Sequence, residues 1–72
     1  MVIIRVINNY NECFYMSEDK EYEFSKANEY EVDNILDNEC ELLHHEENDN
    51  YGLSRYEVSE STKKKIESLA LY

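Results

Sequence analysis

Residues 27–54 read ANEYEVDNILDNECELLHHEENDNYGLS and contain nine carboxylates, with no Lys or Arg between Lys26 and Arg55. An unpaired charge buried in a protein costs several kcal/mol and tends to protonate instead. We therefore expect these side chains to face solvent or a binding partner, with no cation within reach. The rest of the chain is predicted to support this acidic surface.

The first part of the stretch has helical spacing. Ser25 precedes it, and a Ser hydroxyl at this position commonly accepts a hydrogen bond from a backbone amide two or three residues later. The helix is therefore predicted to begin near Lys26. Its apolar residues fall on one face and form the predicted core together with two residues of a later segment. These core residues are Val32, Ile35, Leu36, Ile66 and Leu69.

Glu29, Asp33 and Asp37 follow one another at intervals of four residues along a neighbouring flank of this helix. Like charges at this spacing stand about 6 Å apart and destabilise an isolated helix by a few tenths of a kcal/mol per pair. One interpretation of the row is a merely solvated helix face. The other is a docking row for a basic partner, since solubility alone does not require the arrangement.

Residues 39–47 fit two structures. Continuing the helical phase places Cys40 and Leu43 on the apolar face, which gives one long helix over residues 26–46. In the alternative, the chain leaves the helix before this segment and forms a strand.

In that alternative the helix ends at residues 37–38 and residues 40–45 form a strand. This strand pairs with residues 53–58 through a turn at residues 48–52. We favour the strand, because Asn34 and Asn38 are poor helix formers and because the turn signal is strong. Gly52, the only glycine, is predicted to adopt a positive φ in the turn.

The N-terminal segment predicts a sheet. Residues 2–7 are β-branched except for Arg5, which is typical of a central strand with two apolar faces. Residues 13–16 and 21–24 are the next two strand candidates, and the short polar connections favour an antiparallel meander. The C-terminal residues form a second helix, capped by Ser59 or Ser61.

These elements predict an α+β fold in a single compact domain of residues 1–72. The sheet is antiparallel, with four to five short strands, and two helices pack on one of its faces. The inner face of the second helix is expected to consist of Ile66, Leu69 and Ala70.

Composition narrows the classes of function. The chain has 72 residues with 17 acidic and 7 basic side chains, a net charge of -10, which excludes nucleic acid and anionic membranes as direct partners. Seven Tyr and a 42% hydrophobic fraction indicate a folded domain rather than an acidic tail.

The first seven residues lack the features of a sorting signal, and no apolar run could cross a bilayer. We expect a cytoplasmic location.

Residues that could carry chemistry are few. Cys13, Cys40, His44 and His45 offer thiolates and imidazoles to zinc, and Cys40 and His44 would share a face of a strand. His44 and His45 would then point to opposite faces, and the spacing is not that of a zinc site. We interpret the cysteines as buried thiols and expect no metal, no cofactor and no enzymatic activity.

The remaining pattern is one of carboxylates interleaved with tyrosines. Tyr is enriched at the centre of protein interfaces, and carboxylates steer a basic partner. The sequence therefore favours a binding protein whose partner is a basic nucleic-acid-binding protein. The alternative is a small structural or regulatory module that self-associates, as a homodimer, through its sheet or a Tyr-rich face. The predicted partner-binding residues are Glu29, Asp33, Asp37, Glu39, Glu41, Glu46, Glu47 and Asp49, and the tyrosines are Tyr10, Tyr15, Tyr22, Tyr30, Tyr51, Tyr56 and Tyr72.

The first twenty residues also carry a resemblance. Residues 3–6 (IIRV), the Asn8-Asn9 turn, Asn11-Glu12 and Ser17-Glu18, together with small size and acidity, make the chain similar to phage-encoded anti-CRISPR proteins that inhibit type II CRISPR nucleases. The resemblance implies a phage protein that mimics duplex DNA and occupies a basic recognition cleft, with a CRISPR nuclease as partner. It assigns no functional residue, so the site residues above rest on charge and spacing.

Overall fold

The structure, a computed structural model, describes residues 1–71, and Tyr72 lies outside the described residues. It confirms the α+β class. The described chain forms five strands and two helices: β1 (Val2–Asn8), β2 (Cys13–Met16), β3 (Glu21–Tyr22), α1 (Lys26–Glu39), β4 (Glu41–Glu47), β5 (Tyr51–Glu57) and α2 (Glu60–Leu69).

The five strands form one sheet in the order β3-β2-β1-β5-β4, and all neighbours are antiparallel. The prediction that β1 is central is confirmed, as is the meander of the first three strands. β3 ends at Tyr22, two residues before the predicted end.

The strand prediction for the segment after α1 is confirmed, and the single long helix is wrong. α1 ends at Glu39, and Cys40 already has an extended backbone with φ -120° and ψ 153°. β4 then pairs with β5 in an antiparallel hairpin. Pairing with β5 and packing of α1 on the sheet both stabilise this structure. Neither contribution is visible in the helical spacing of apolar residues along the sequence.

The predicted positive φ at Gly52 is wrong. Gly52 is part of β5, where it lies opposite Glu47 and Ile7. Among residues 1–71 the positive φ belongs to Asn11, at 62° in the turn between β1 and β2. Asn tolerates this region because its side chain can hydrogen-bond locally.

Both helices pack on the same face of the sheet, as the contacts of their polar side chains show. Tyr15 lies opposite both Arg5 and Tyr22 in the sheet, so all three side chains share a face. Tyr15 donates a hydrogen bond to Asp33 of α1, and Tyr22 donates one to Glu67 of α2. We call this side of the sheet the inner face and the opposite side the outer face.

The core fills the space between the inner face and the helices. Four of the five predicted core residues are buried, and Leu69 is partly buried at the last turn of α2. The buried apolar residues are Ile3, Tyr15, Tyr22, Phe24, Val32, Ile35, Leu36, Tyr56, Val58 and Ile66. Neither helix is long and apolar enough to cross a membrane.

Each helix begins at a Ser that caps it. The hydroxyl of Ser25 accepts from the amide of Asn28, and that of Ser59 accepts from the amide of Thr62, both at 3.3 Å. Ser59 is therefore the cap of α2, and Ser61 is not.

Replacing either cap, as Ser25→Ala or Ser59→Ala, is expected to lower the free energy of unfolding by about 1 kcal/mol, because one amide loses its acceptor. Ser68→Ala is the matched control, since Ser68 is exposed in the last turn of α2. Urea denaturation followed by circular dichroism measures the differences. A cap variant as stable as the control would contradict the assignment.

Candidate acidic interface

Four of the predicted partner-binding carboxylates lie on the hairpin of β4 and β5. Glu41, Glu46 and Glu47 are on β4, Asp49 is in the turn, and all four are exposed. β4 lies at the edge of the sheet, and each of its seven residues is exposed. We call residues 41–51 the acidic hairpin.

No Lys or Arg among residues 1–71 forms an ion pair with these four carboxylates. Arg5, Lys20 and Lys65 form ion pairs with other carboxylates. The groups that do approach are imidazoles: His44 Nε2 lies 3.4 Å from Glu46 Oε1, and His45 Nε2 lies 3.3 Å from Glu47 Oε1. The acidic hairpin therefore combines exposure with negative charge that the chain does not neutralise with Lys or Arg.

The acidic hairpin also carries exposed apolar surface. Leu42 and Leu43 are about half exposed, at 53% and 50%. The pairing with β5 is irregular here, because it passes from Leu42 opposite Tyr56 to His44 opposite Arg55. Such a bulge interrupts an edge strand and is one way in which proteins limit uncontrolled edge-to-edge pairing.

The expectation that the helical carboxylates have no cation within reach is wrong for Asp33 and Asp37. Arg5 reaches them across the inner face from the central strand. Its Nη1 donates to Asp33 Oδ1 at 3.0 Å, and its Nη2 donates to Asp37 Oδ1 at 3.3 Å. These ion pairs could not be predicted from local sequence, because Arg5 is about thirty residues from both carboxylates and only the packing of α1 on β1 brings the groups together.

Two tyrosines complete the network around Arg5. Tyr15 donates to Asp33 at 2.7 Å, Tyr56 donates to Asp37 at 3.1 Å, and Arg5 Nη2 also donates to the Tyr56 hydroxyl at 2.7 Å. Polar groups at a sheet-helix boundary are stable only when satisfied in this way. We call Arg5, Tyr15, Asp33, Asp37 and Tyr56 the Arg5 network.

The environment of the Arg5 network keeps its hydrogen-bond donors protonated. Burial and the hydrogen bond to Asp33 raise the pKa of Tyr15 far above its usual range. Burial also raises the pKa of Tyr56, which the charge of Arg5 opposes and the bond to Asp37 reinforces. Burial alone would lower the pKa of Arg5, but its carboxylate partners outweigh this and raise it. The network therefore holds a charged guanidinium and two neutral phenols.

The other two helical candidates differ from each other. Glu29 is half-buried in the first turn of α1. Glu39 is exposed at the end of α1, and Lys65 Nζ of α2 lies 3.0 Å from its Oε1. The predicted acidic surface is thus divided: the helical part is largely compensated within the fold, and the hairpin part is not compensated by Lys or Arg.

The tyrosines of the described chain also fall into two groups, one buried and one exposed. Tyr15, Tyr22 and Tyr56 are in the core, so they do not offer contact area to a partner. Tyr10 and Tyr30 are largely exposed, and Tyr51 is partly exposed where the acidic hairpin enters β5.

A cavity of about 310 Å³ opens on the inner face at the end of the sheet that the helices leave uncovered. Within it, His45 Nδ1 lies 2.9 Å from Ser54 Oγ while His45 Nε2 faces Glu47. Ser54 is only 6% exposed, which does not suit a nucleophile. The arrangement acts as a structural tie that holds the His45 ring between β4 and β5. In the sequence, this His and this Ser are nine residues apart, and their contact could be predicted only if the register of β4 and β5 were known.

The Cys and His residues do not converge. Cys40 packs against the core, whereas His44 lies on the outer face opposite Arg55, because the bulge after Leu42 changes the alternation. The expectation that Cys40 and His44 share a face is therefore wrong, while the opposite orientation of His44 and His45 is confirmed. In residues 1–71 there is no group of three or more His, Cys, Asp or Glu that could hold a metal ion.

Both cysteines are free and half-buried. Burial raises the pKa of the Cys13 thiol and of the Cys40 thiol. Because the thiolate is the reactive form, this shift makes both side chains poor nucleophiles at neutral pH.

Comparison of the chain with protein-family models, with curated proteins and with solved structures found no match.

Proposed function

We propose that this protein is a non-enzymatic binding protein that docks on the basic, nucleic-acid-binding surface of another protein in the cytoplasm. The observation that carries the proposal is the acidic hairpin: four exposed carboxylates on the edge strand β4 and in the turn after it, with no Lys or Arg of the described chain paired to them. Lys and Arg side chains of a partner would supply the missing counter-charges.

The rest of the fold supports this assignment. The chain neutralises Asp33, Asp37 and Glu39 with its own cations and leaves the acidic hairpin without such partners. Long-range attraction would speed association with a basic surface. Leu42 and Leu43 add apolar area beside the charges, which an interface needs for affinity once salt screens the attraction.

A protein surface that binds nucleic acid is a suitable partner because phosphate contacts with Lys and Arg dominate its affinity. Carboxylates on the acidic hairpin would occupy these cations in place of phosphates. The resemblance of the first twenty residues to phage-encoded anti-CRISPR proteins makes type II CRISPR nucleases the first partners to test, with the chain acting as a mimic of duplex DNA.

The test is a competition assay with a panel of guide-loaded type II CRISPR nucleases and a fluorescent target duplex, at about 50 and 200 mM salt. We expect the chain to displace the duplex from a nuclease, less effectively at the higher salt. The double variant Glu47→Lys/Asp49→Lys should inhibit at least about tenfold less, because cations repel the basic surface.

Glu18→Lys/Asp19→Lys is the matched control. It makes the same change of charge at two exposed residues between β2 and β3, near the opposite edge of the sheet. It should inhibit almost as well as the parent chain. Equal inhibition by both double variants would show that the acidic hairpin is only a solvated surface, and no inhibition of any nuclease would reject this class of partner.

A further inference from the structure

The outer face of the sheet carries an apolar patch that the helices do not cover. Its members alternate with the inner-face residues of the same strands, and none of them belongs to the core or packs against it. Phe14 is 40% exposed, and the others are partly exposed. The patch consists of Val2, Ile4, Val6, Phe14, Met16 and Leu53.

The strand register orders the outer face into rows that run across the sheet. The first row reads Glu21, Met16, Ile4, Arg55 and His44 from β3 to β4. The second row reads Phe14, Val6, Leu53 and Glu46 from β2 to β4. In both rows the residue on the central strand β1 is aliphatic.

We propose that the outer face binds the outer face of a second copy of this chain, around a two-fold axis that runs along β1. Such an axis exchanges the two sides of each row, so the central aliphatic residues meet their own copies. Phe14 then faces Leu53 of the second copy, and Met16 faces the aliphatic part of Arg55. At the ends of the first row, Glu21 faces His44 and stands next to Arg55 of the second copy.

Charge complementarity favours this occupant. The first row is acidic at its β3 end and basic towards β4, and the two-fold axis reverses it, so unlike charges meet. Arg55 forms no ion pair in the described chain, and Glu21 of a second copy would supply one. A uniformly basic partner would instead place its cations against Arg55.

The size of the face sets the expected strength of the dimer. Five strands about 4.8 Å apart and a central strand rising about 3.3 Å per residue give a face of roughly 20 by 20 Å. Two such faces bury roughly 800 Å² in total, which is below the range of stable interfaces and typical of weak, transient ones, and two chains of net charge -10 repel each other. The dimer should therefore form at high protein concentration and strengthen as salt screens the repulsion.

The first test is sedimentation equilibrium of the full chain from about 10 µM to 1 mM, at about 50 and 500 mM salt. Val6→Glu places two like charges at the axis and should raise the Kd of the dimer at least about 100-fold. Ile7→Glu is the matched control, because Ile7 is the next residue on β1 and faces the other side of the sheet. It should dimerise like the parent chain, and circular dichroism checks that both variants fold.

The second test is a charge swap between Glu21 and Arg55. These residues are three strands apart within one chain, roughly 14 Å, so they have no direct contact there. In the proposed dimer they are neighbours. Glu21→Arg and Arg55→Glu should therefore be non-additive, with the Kd of the double variant close to that of the parent.

A chain that stays monomeric at 1 mM in high salt would overturn the proposal. Dimerisation that survives Val6→Glu would show a different interface and overturn it as well. Additive effects of Glu21→Arg and Arg55→Glu would reject the two-fold axis along β1. None of these results tests whether the acidic hairpin docks on a basic partner, because that test uses changes at Glu47 and Asp49.

Discussion

Reversing Asp33 and Asp37 together to Lys is expected to unfold the protein or leave it marginally stable. The change removes both carboxylates from Arg5, whose side chain is only 13% exposed, and adds two cations beside it. Breaking a buried ion pair on one side costs about 3–5 kcal/mol. Asp37 is half exposed, so solvent reduces the contribution of its ion pair to stability. However, two tyrosine hydroxyls also lose their acceptors. A core this small supplies only about 3–5 kcal/mol in total.

Thermal unfolding followed by far-ultraviolet circular dichroism measures this effect. The control Glu18→Lys/Asp19→Lys has the same charge change at exposed residues and should melt close to the parent chain. If the Asp33/Asp37 variant melted like this control, the Arg5 network would not contribute to stability, and the two carboxylates would again be candidates for partner binding.

Leu36→Ala is expected to lower the free energy of unfolding by about 3 kcal/mol, because it leaves a cavity under α1. Leu36 is fully buried between the helix and the inner face of the sheet. Leu69→Ala should cost less, since Leu69 is only partly buried. Urea denaturation at low micromolar concentration, where the chain is expected to be monomeric, measures both differences.

Leu43→Ala is the control for the same chemical change at an exposed position. Leu43 is 50% exposed on β4, so its truncation should change stability by less than about 0.5 kcal/mol. A Leu36 variant that unfolds at the same urea concentration as the Leu43 variant would mean that α1 is not docked on the sheet as described.

Local pattern was sufficient for most of the fold. The apolar residues of α1 repeat with helical spacing and Ser25 stands before them, so this helix and its cap could be predicted, while the cap of α2 was left between Ser59 and Ser61. β1 is apolar on both faces, which indicated a central strand. These features depend on residues close together in sequence, whose preferences survive in the folded chain.

The candidate site was only partly predictable. Charge counting found the exposed carboxylates of the acidic hairpin, because an excess of unpaired acid must reach the surface. It also assigned Asp33 and Asp37 to that surface, since no cation lies near them in sequence. The available signal was Arg5, the one charged residue in an apolar strand, because a buried Arg requires a carboxylate partner.

The sequence by itself determined where α1 begins, the presence of the second helix, the central strand and the acidic excess of residues 27–54, because each follows from spacing or composition. Only the tertiary structure decided which carboxylates are neutralised, since the Arg5 network joins a strand and a helix about thirty residues apart. It also decided that Gly52 lies within β5 and that a bulge turns His44 to the outer face. The register of the strands sets these contacts. Register depends on how residues far apart in sequence pair across the sheet, so it cannot be inferred from the residues next to each position.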